Sequence, residues 1–69
     1  MMKMEYDQEA DALYIKVKND KVDHTKEIDL NTILDFNKGG EIIGIELLFV
    51  KERNPQFLKK FQKDILVGL

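Results

Sequence analysis

Acidic residues at alternating positions near the start of the chain are the first that could do chemistry. Four of them fall within seven residues: Glu5, Asp7, Glu9 and Asp11. Closely spaced carboxylates can bind a hard cation or supply an acid–base pair. An EF-hand calcium loop would need a glycine near Ala12, so that pattern fails. We interpret these acids as turn residues and as a solvated strand face, because aspartate readily bonds the backbone amides of turns.

Asp35 and Glu46 are the stronger candidates for a functional pair, because each lies among isoleucine, leucine and phenylalanine residues. An unpaired charge in such surroundings is costly, so we expect hydrogen bonds to the backbone or to a partner chain. A hairpin loop at residues 38–40 would place Asp35 opposite Ile43. In that register Asp35 and Glu46 lie on opposite faces of the hairpin, which excludes an acid–base dyad within one chain.

The remaining reactive side chains have ordinary interpretations. His24 stands in a charged segment, and nothing nearby would orient it as a proton shuttle, so we expect it to be exposed. Tyr6 and Tyr14 could form an aromatic patch facing a ligand, but packing with a solvated hydroxyl group is the commoner use. The absence of cysteine excludes disulfides and thiolate zinc sites. No phosphate-binding loop, nucleophile elbow or Ser-His-Asp order is present, so we predict no cofactor and favour a non-catalytic protein over an enzyme.

The charge balance limits the classes of partner. The chain has 11 basic and 13 acidic residues and a net charge of -2, which provides no bulk attraction to nucleic acid or to a membrane. Lys59, Lys60 and Lys63 could follow phosphates, but no nucleic-acid motif accompanies them. We interpret these lysines as a solvated helix face. No signal peptide or membrane span is visible, and we expect a cytoplasmic protein.

Alternation of apolar and polar residues predicts the strands that must position these groups. Residues 12–18 alternate most clearly, as expected for a strand with one buried face, and residues 2–6 form a shorter first strand. Residues 22–29 alternate weakly and carry charges on both sides, which is typical of an edge strand. Within and just after this segment we expect Ile28 and Leu30 to point inward.

The most apolar run, residues 41–50, has apolar side chains on both faces and is predicted to be the strand around which the sheet is organised. It pairs with residues 32–36 across a turn whose two glycines supply positive φ values. Gly44 inside this strand needs a reason, since glycine costs about 0.5–1 kcal/mol relative to alanine there. Either a local bend or the close approach of another group would explain it, and we favour the approach of Leu34 on the opposite strand.

The composition changes after the apolar run. Asn54 and Pro55 are typical of a helix start, and apolar residues follow at helical spacing, so we predict a helix over residues 54–67. The predicted fold is α+β, a small antiparallel meander of four to five strands within residues 1–50 with the C-terminal α-helix packed on one face. Residues 1–69 are predicted to form a single domain.

A chain of 69 residues buries only about 60% of the surface that its unfolded form exposes, so its stability is marginal unless the core is supplemented. With disulfides and zinc excluded, oligomerisation is the remaining supplement. One helix can cover only one face of the sheet. We therefore expect a homodimer sealed through the other apolar face. That face would be lined by residues such as Ile33, Ile43, Ile45 and Leu47, or by their opposites.

Two separated motifs resemble a known family. The first reads Tyr-Asp-x-x-x-Asp-x-Leu-Tyr-Ile, and its polar positions are Tyr6, Asp7, Asp11 and Tyr14. The second is an acidic hairpin that ends in Gly-Ile-Glu, with Asp35, Gly44 and Glu46. Over roughly residues 3–50 the chain resembles the YuzE-like proteins, domain of unknown function family 2283, although Gln8 stands where proline is common. The resemblance implies a small antiparallel sheet in a bacterial or archaeal protein, brings no established activity, and makes these seven positions the candidate site.

Three functions remain open. The first, which we favour, is a non-catalytic homodimeric binding module, with a second copy and a further protein as partners. The second is an antitoxin-like or regulatory partner, which the resemblance suggests, in contact with nucleic acid through the basic helix; we do not expect nucleic acid to be the partner. The third is a metal-binding protein or enzyme that uses carboxylates across a dimer interface, drawn from Asp7, Asp11, Asp35 and Glu46.

Overall fold

The computed structural model describes residues 3–60 and 65–68; Met2, Phe61 and Lys63, on which parts of the sequence predictions depend, lie outside these ranges. The described residues form six strands: β1 Lys3–Asp7, β2 Ala12–Lys16, β3 His24–Asp29, β4 Thr32–Phe36, β5 Ile42–Leu48 and β6 Ile65–Gly68. Two short helices lie between β5 and β6: α1 Val50–Arg53 and α2 Pro55–Lys60. The predicted α+β class is confirmed.

The strands form one sheet in the order β3-β4-β5-β2-β1-β6. All pairs among the first five strands are antiparallel, whereas β6 runs parallel to β1. The apolar β5 lies between β4 and β2, as expected of the strand around which the sheet is organised. The predicted meander is wrong, because β2 pairs with β5 and not with β3. The charged β3 is left at the edge, where its charges discourage further pairing.

The predicted helix over residues 54–67 is wrong in its extent. Among the described residues α2 begins at Pro55, as expected, but it ends at Lys60, and β6 follows. Ile65 and Val67 are β-branched and suit a strand, and their strand pairs with an edge of β1 that a helix would leave open. Pairing with β1 therefore overrides the helical spacing of the apolar residues.

The β4–β5 hairpin has the predicted turn but a different register. The backbone N–H of Asn37 donates to the carbonyl of Glu41 at 3.0 Å, so these two residues face each other as predicted. A bulge then shifts the ladder, and Asp35 lies opposite Gly44 and not opposite Ile43. Because the side chains of a strand alternate between faces, a shift of one residue exchanges the faces of β5 relative to β4.

Asn37 holds the turn of this hairpin and is itself buried. Its Nδ2 donates to Glu41 Oε1 at 2.9 Å and to Asp20 Oδ2 at 3.1 Å, and its Oδ1 accepts the Glu41 N–H at 2.8 Å. Gly40 has a φ of 81°, which favours glycine. A positive φ at Gly39 was also predicted, and that is wrong, because one left-handed residue is enough for a three-residue loop.

One face of the sheet carries the core, and we call it the helix face. Tyr6, Leu13 and Val50 form a buried cluster there. Partly buried apolar residues pack against this cluster: Met4, Ile15, Leu47 and Phe57. Val50 of α1 belongs to the cluster, and Phe57 of α2 packs against it. We call the opposite side, which carries Tyr14, Gly44 and Glu46, the polar face.

The edge strand β3 is exposed along its whole length. Ile28 and Leu30 do not point inward as predicted, since they are 51% and 80% exposed. A bulge between Glu27 and Asp29 leaves Ile28 outside the ladder, and Leu30 lies in the turn between β3 and β4. Neither position can therefore reach the core.

Candidate functional site

The first group of motif residues surrounds the turn between β1 and β2. Tyr6 is buried on the helix face, and its hydroxyl donates to Asp11 Oδ1 at 2.5 Å. Asp11 has a φ of 52°, a left-handed conformation that aspartate tolerates better than most residues. We call these two residues the Tyr6–Asp11 pair.

Asp11 also closes the start of α1, which lies 40 residues further along the chain. Its Oδ1 accepts the N–H of Lys51 at 2.8 Å, its Oδ2 accepts that of Glu52 at 3.2 Å, and its carbonyl accepts that of Val50 at 3.2 Å. The residue before the helix, Phe49, provides no side-chain cap. Asp11 therefore satisfies orphan N–H groups that a local cap would normally bind. Its role is to join the hairpin to α1, beyond the turn role predicted from the sequence.

The pKa values of this pair show how the proton is held. Burial, followed by the hydrogen bond to Asp11, raises the pKa of Tyr6 to about 12. Partial burial alone would raise the pKa of Asp11, but the bonds from Tyr6, Lys51 and Glu52 outweigh it and lower that pKa below its usual value. At neutral pH the phenol is protonated and the carboxylate is ionised. The two groups therefore form a charge-assisted hydrogen bond. Their pKa values do not suit acid–base catalysis, which needs a pKa near the working pH.

The other acids of the first segment do not converge on a common point. Asp7 Oδ1 accepts the N–H groups of Glu9 and Ala10 at 3.0 and 3.2 Å, which confirms its interpretation as a turn residue. Glu5 lies 3.9 Å from the ammonium group of Lys3, and both side chains are exposed.

The second group of motif residues crosses three strands on the polar face. The hydroxyl of Tyr14, on β2, reaches over Gly44 of β5 and donates to Asp35 Oδ2 of β4 at 2.9 Å. The other carboxylate oxygen, Asp35 Oδ1, accepts the Thr25 hydroxyl of β3 at 2.8 Å. We call Tyr14 and Asp35 the Tyr14–Asp35 pair, and their bond explains why Asp35 can lie among apolar neighbours.

Gly44 is the residue that permits this crossing. A Cβ atom there would collide with the Tyr14 hydroxyl group, and it would lie 2.7 Å from Tyr14 Cζ and 3.2 Å from Asp35 Oδ2. The expected close approach at Gly44 is confirmed. The neighbour was predicted to be Leu34, which is wrong, because the bulge places Asp35 and not Leu34 opposite Gly44.

Glu46 completes the group on the polar face. It pairs with Tyr14 across β2 and β5 and shares a face with Asp35, so the prediction that the two acids lie on opposite faces is wrong. Burial, the bond to Asp35 and the charges of Asp35 and Glu46 raise the pKa of Tyr14 to about 12. The phenol that stands between the acids therefore keeps its proton at neutral pH.

Three further features were considered from the sequence: His24, a metal site and a membrane span. His24 is exposed, as predicted. The expectation that nothing nearby would orient it is wrong, because its Nδ1 lies 2.8 Å from Asp23 Oδ2 and its ring stacks on Phe36 at a centroid distance of 4.9 Å. Within residues 3–60 and 65–68, no group of three or more His, Asp or Glu side chains is arranged to hold a metal ion. The same part of the chain contains no helix that is long and apolar enough to cross a membrane.

A groove of about 430 Å³ was not predicted from the sequence. It lies between the β3–β4 turn, the end of β5 and the two helices, and its lining includes Asp29, Thr32, Leu47, Val50, Arg53 and Phe57. These residues come from separate segments of the chain, so no local motif marks them. The available signal was Leu30, which lies between two lining residues and which the sequence analysis expected to point inward.

Comparison with known proteins gives a family but no activity. No curated protein and no solved structure matches this chain. The family model for proteins of unknown function DUF2283 matches residues 3–51, a span that holds both tyrosine–aspartate pairs and all seven candidate positions. With most of its 69 residues matched, the chain belongs to the DUF2283 family of proteins of unknown function.

Proposed function

We propose that the protein is a non-catalytic interaction module that acts as a homodimer. The two copies meet through the part of the helix face that the chain's own helices leave uncovered. A second copy would then supply the cover that the helices do not. We no longer favour the opposite face, which the sequence analysis expected, because it carries Tyr14, Asp35 and Glu46.

The observation that carries this proposal is a strip of apolar residues on β4 and β5. Leu34, Phe36 and Ile45 are only partly buried, and we call them the β4–β5 patch. Leu34 lies opposite Ile45, and Ile45 lies opposite Ile15 of the core side. The patch therefore continues the same apolar face that Val50 and Phe57 cover farther along the sheet.

The size of the core supports the same conclusion. Among the residues that the structure describes, four apolar side chains are buried: Tyr6, Leu13, Ile43 and Val50. A core this small leaves a short chain near the limit of independent stability. Burial of a second apolar surface stabilises the fold by about 25 cal/mol per Å², which favours association.

The bonding of the motif acids supports a non-catalytic role. Asp7 holds a turn, Asp11 holds a helix start, and Asp35 accepts bonds from β2 and β3. Each of these three carboxylates thus has partners that fix the fold. A catalytic carboxylate must instead lie within reach of a substrate proton or reacting atom.

Sedimentation equilibrium tests the proposal directly. We expect the wild type to have twice the mass of its 8.1 kDa chain at micromolar concentration. Leu34→Lys should dissociate the dimer, because it places a charge in the apolar interface. Ile33→Lys is the matched control. Ile33 directly precedes Leu34 and is also partly buried, but it lies on the polar face, where it pairs with Glu46 of β5.

Circular dichroism should show that both variants remain folded. A wild type that sediments as a monomer at these concentrations would overturn the proposal. If Ile33→Lys and Leu34→Lys dissociate the dimer equally, the interface does not lie on the helix face.

A further inference from the structure

The groove between the β3–β4 turn and the helices is continuous with the β4–β5 patch. Thr32 and Leu47 line the groove and lie opposite each other. The next pair on the same face is Leu34 with Ile45, which belongs to the patch. An interface that covers the patch therefore reaches the groove without crossing a polar gap.

A projecting leucine stands beside this groove. Leu30 is 80% exposed, and the residues on either side of it, Asp29 and Asn31, both line the groove. The turn that presents Leu30 is fixed, because Asp29 Oδ1 accepts the Asn31 N–H at 2.8 Å and the Asn31 carbonyl accepts the Leu48 N–H at 2.8 Å. Phe49, which also lines the groove, is 45% exposed. Two exposed apolar side chains, Leu30 and Phe49, thus lie at the opening.

The geometry of a twofold dimer relates the leucine to the groove. Such an interface uses the same surface on both subunits, so a projecting group and its receiving pocket must lie in one patch. Leu30 and the groove meet this condition. The charges meet it as well, because the lining contains Asp29 and Arg53, and a twofold axis can bring each of them towards its opposite on the partner.

We propose that the groove is filled by Leu30 of a second copy of this chain, reciprocally across a twofold axis. This inference rests on the proposed homodimer and specifies the centre of its interface. Leu30 enters the apolar floor formed by Leu47, Val50 and Phe57. Asp29 and Arg53 form the charged rim around it, in keeping with the apolar centre and polar edge of specific interfaces.

The first test measures the dimer dissociation constant of Leu30→Asp by sedimentation equilibrium. We expect an increase of about tenfold or more, because a carboxylate would enter an apolar pocket. Val22→Asp is the matched control, since Val22 is an exposed apolar residue, at 45%, near the opposite end of the β3–β4 hairpin. Its dissociation constant should equal that of the wild type.

The second test uses the absence of native cysteine. Chains carrying Leu30→Cys are mixed with chains carrying Asn54→Cys, a position that lines the groove, and are treated with a short bismaleimide. We expect a linked heterodimer, and none from the control mixture of Val22→Cys with Asn54→Cys. Each chain has a single cysteine, so every link joins two copies.

The outcomes separate this inference from the proposed function. A dimeric wild type whose dissociation constant is unchanged by Leu30→Asp overturns the inference and leaves the homodimer standing. Weakened association without a link to Asn54→Cys places Leu30 in the interface but outside the groove, which also overturns the inference. A monomeric wild type overturns both and assigns the groove to a different occupant.

Discussion

The two tyrosine–aspartate pairs share one kind of bond but differ in what they join. The Tyr6–Asp11 pair links residues five apart, on the buried helix face, and extends to the backbone of α1. The Tyr14–Asp35 pair links residues 21 apart, on the polar face, where both side chains are partly exposed. One pair fixes a helix against a hairpin, and the other fixes three strands against one another.

The comparison shows how a small chain without disulfides can hold distant segments together. In each pair a phenol with a raised pKa donates to a carboxylate that has further donors. Hydrogen bonds to a charged group contribute about 1.5–3 kcal/mol, which is large against the total stability of a small domain. The residue types that could perform acid–base chemistry are used here to connect segments of the fold.

Asp11→Ala should have the largest effect on the free energy of unfolding, a loss of about 3 kcal/mol. It leaves the buried Tyr6 hydroxyl without its acceptor, which costs about 1–3 kcal/mol, and it removes the cap of α1, which costs about 0.5–2 kcal/mol. Urea denaturation at one fixed protein concentration measures the loss. Asp11→Asn is the control and should cost less, because asparagine tolerates the positive φ and keeps an acceptor oxygen. Equal losses for the two variants would contradict the capping role.

Gly44→Ala should cost about 2 kcal/mol, because the new methyl group must displace the Tyr14 ring and break its bond to Asp35. The cost should fall when Tyr14→Leu is already present, since the collision is then absent. A double-mutant cycle measured by urea denaturation gives this coupling. If Gly44→Ala has the same cost in both backgrounds, Tyr14 is not the reason for the glycine.

Replacing each tyrosine by phenylalanine compares the two pairs directly. We expect Tyr6→Phe to cost about 1.5 kcal/mol and Tyr14→Phe about 0.5–1 kcal/mol. The smaller value follows because water can reach the partly exposed Asp35 and replace the lost phenol, whereas Tyr6 lies in the core cluster. Thermal and urea denaturation of the two variants check the order. A larger loss for Tyr14→Phe would show that the pair on the polar face is the stronger connection.

Ionisation of Tyr6 and Tyr14 should leave the free energy of unfolding unchanged at neutral pH and should lower it only above about pH 10. In the folded protein the pKa values of Tyr6 and Tyr14 are raised from 10.0 to about 12, so between these values the folded state binds more protons than the unfolded state. The contribution of the two tyrosines to the free energy of unfolding should therefore be constant below pH 10 and fall as the pH rises towards 12. Urea titrations across this range measure the slope. Each Tyr→Phe variant should have a shallower slope, and an unchanged slope in both would refute the assignment.

Features with local signals could be predicted from the sequence. Residues 12–18 alternate regularly, and β2 forms within them. The turn from Asn37 to Glu41 follows from its composition, and the charges of β3 mark it as an edge. The family resemblance supplied the seven candidate positions, whose function stays a prediction. For the strand and the turn, the decisive interactions lie within a few residues.

Features that depend on several segments could not be predicted. The bulge in β5 places Gly44 where a phenol from β2 crosses it to reach Asp35. In the sequence, Gly44 is equally compatible with a register in which Leu34 is its neighbour. The reach of Asp11 to α1 depends on tertiary placement, and its local pattern looks like an ordinary turn. The apolar residues of β6 fit a helix until the free edge of β1 is considered.

The extra residue of the bulge, Ile43, affects how relatives of this chain should be aligned. Phe36 pairs with Ile42 and Asp35 with Gly44, so deletion of Ile43 would leave a continuous ladder. Its carbonyl accepts the N–H groups of the two residues that follow β2, at 2.9 and 3.2 Å, and its side chain is 2% exposed. A homologue without this residue would keep both halves of the hairpin and lose those bonds. A gap in an alignment therefore belongs inside the middle strand, at Ile43, and not in the neighbouring glycine loop.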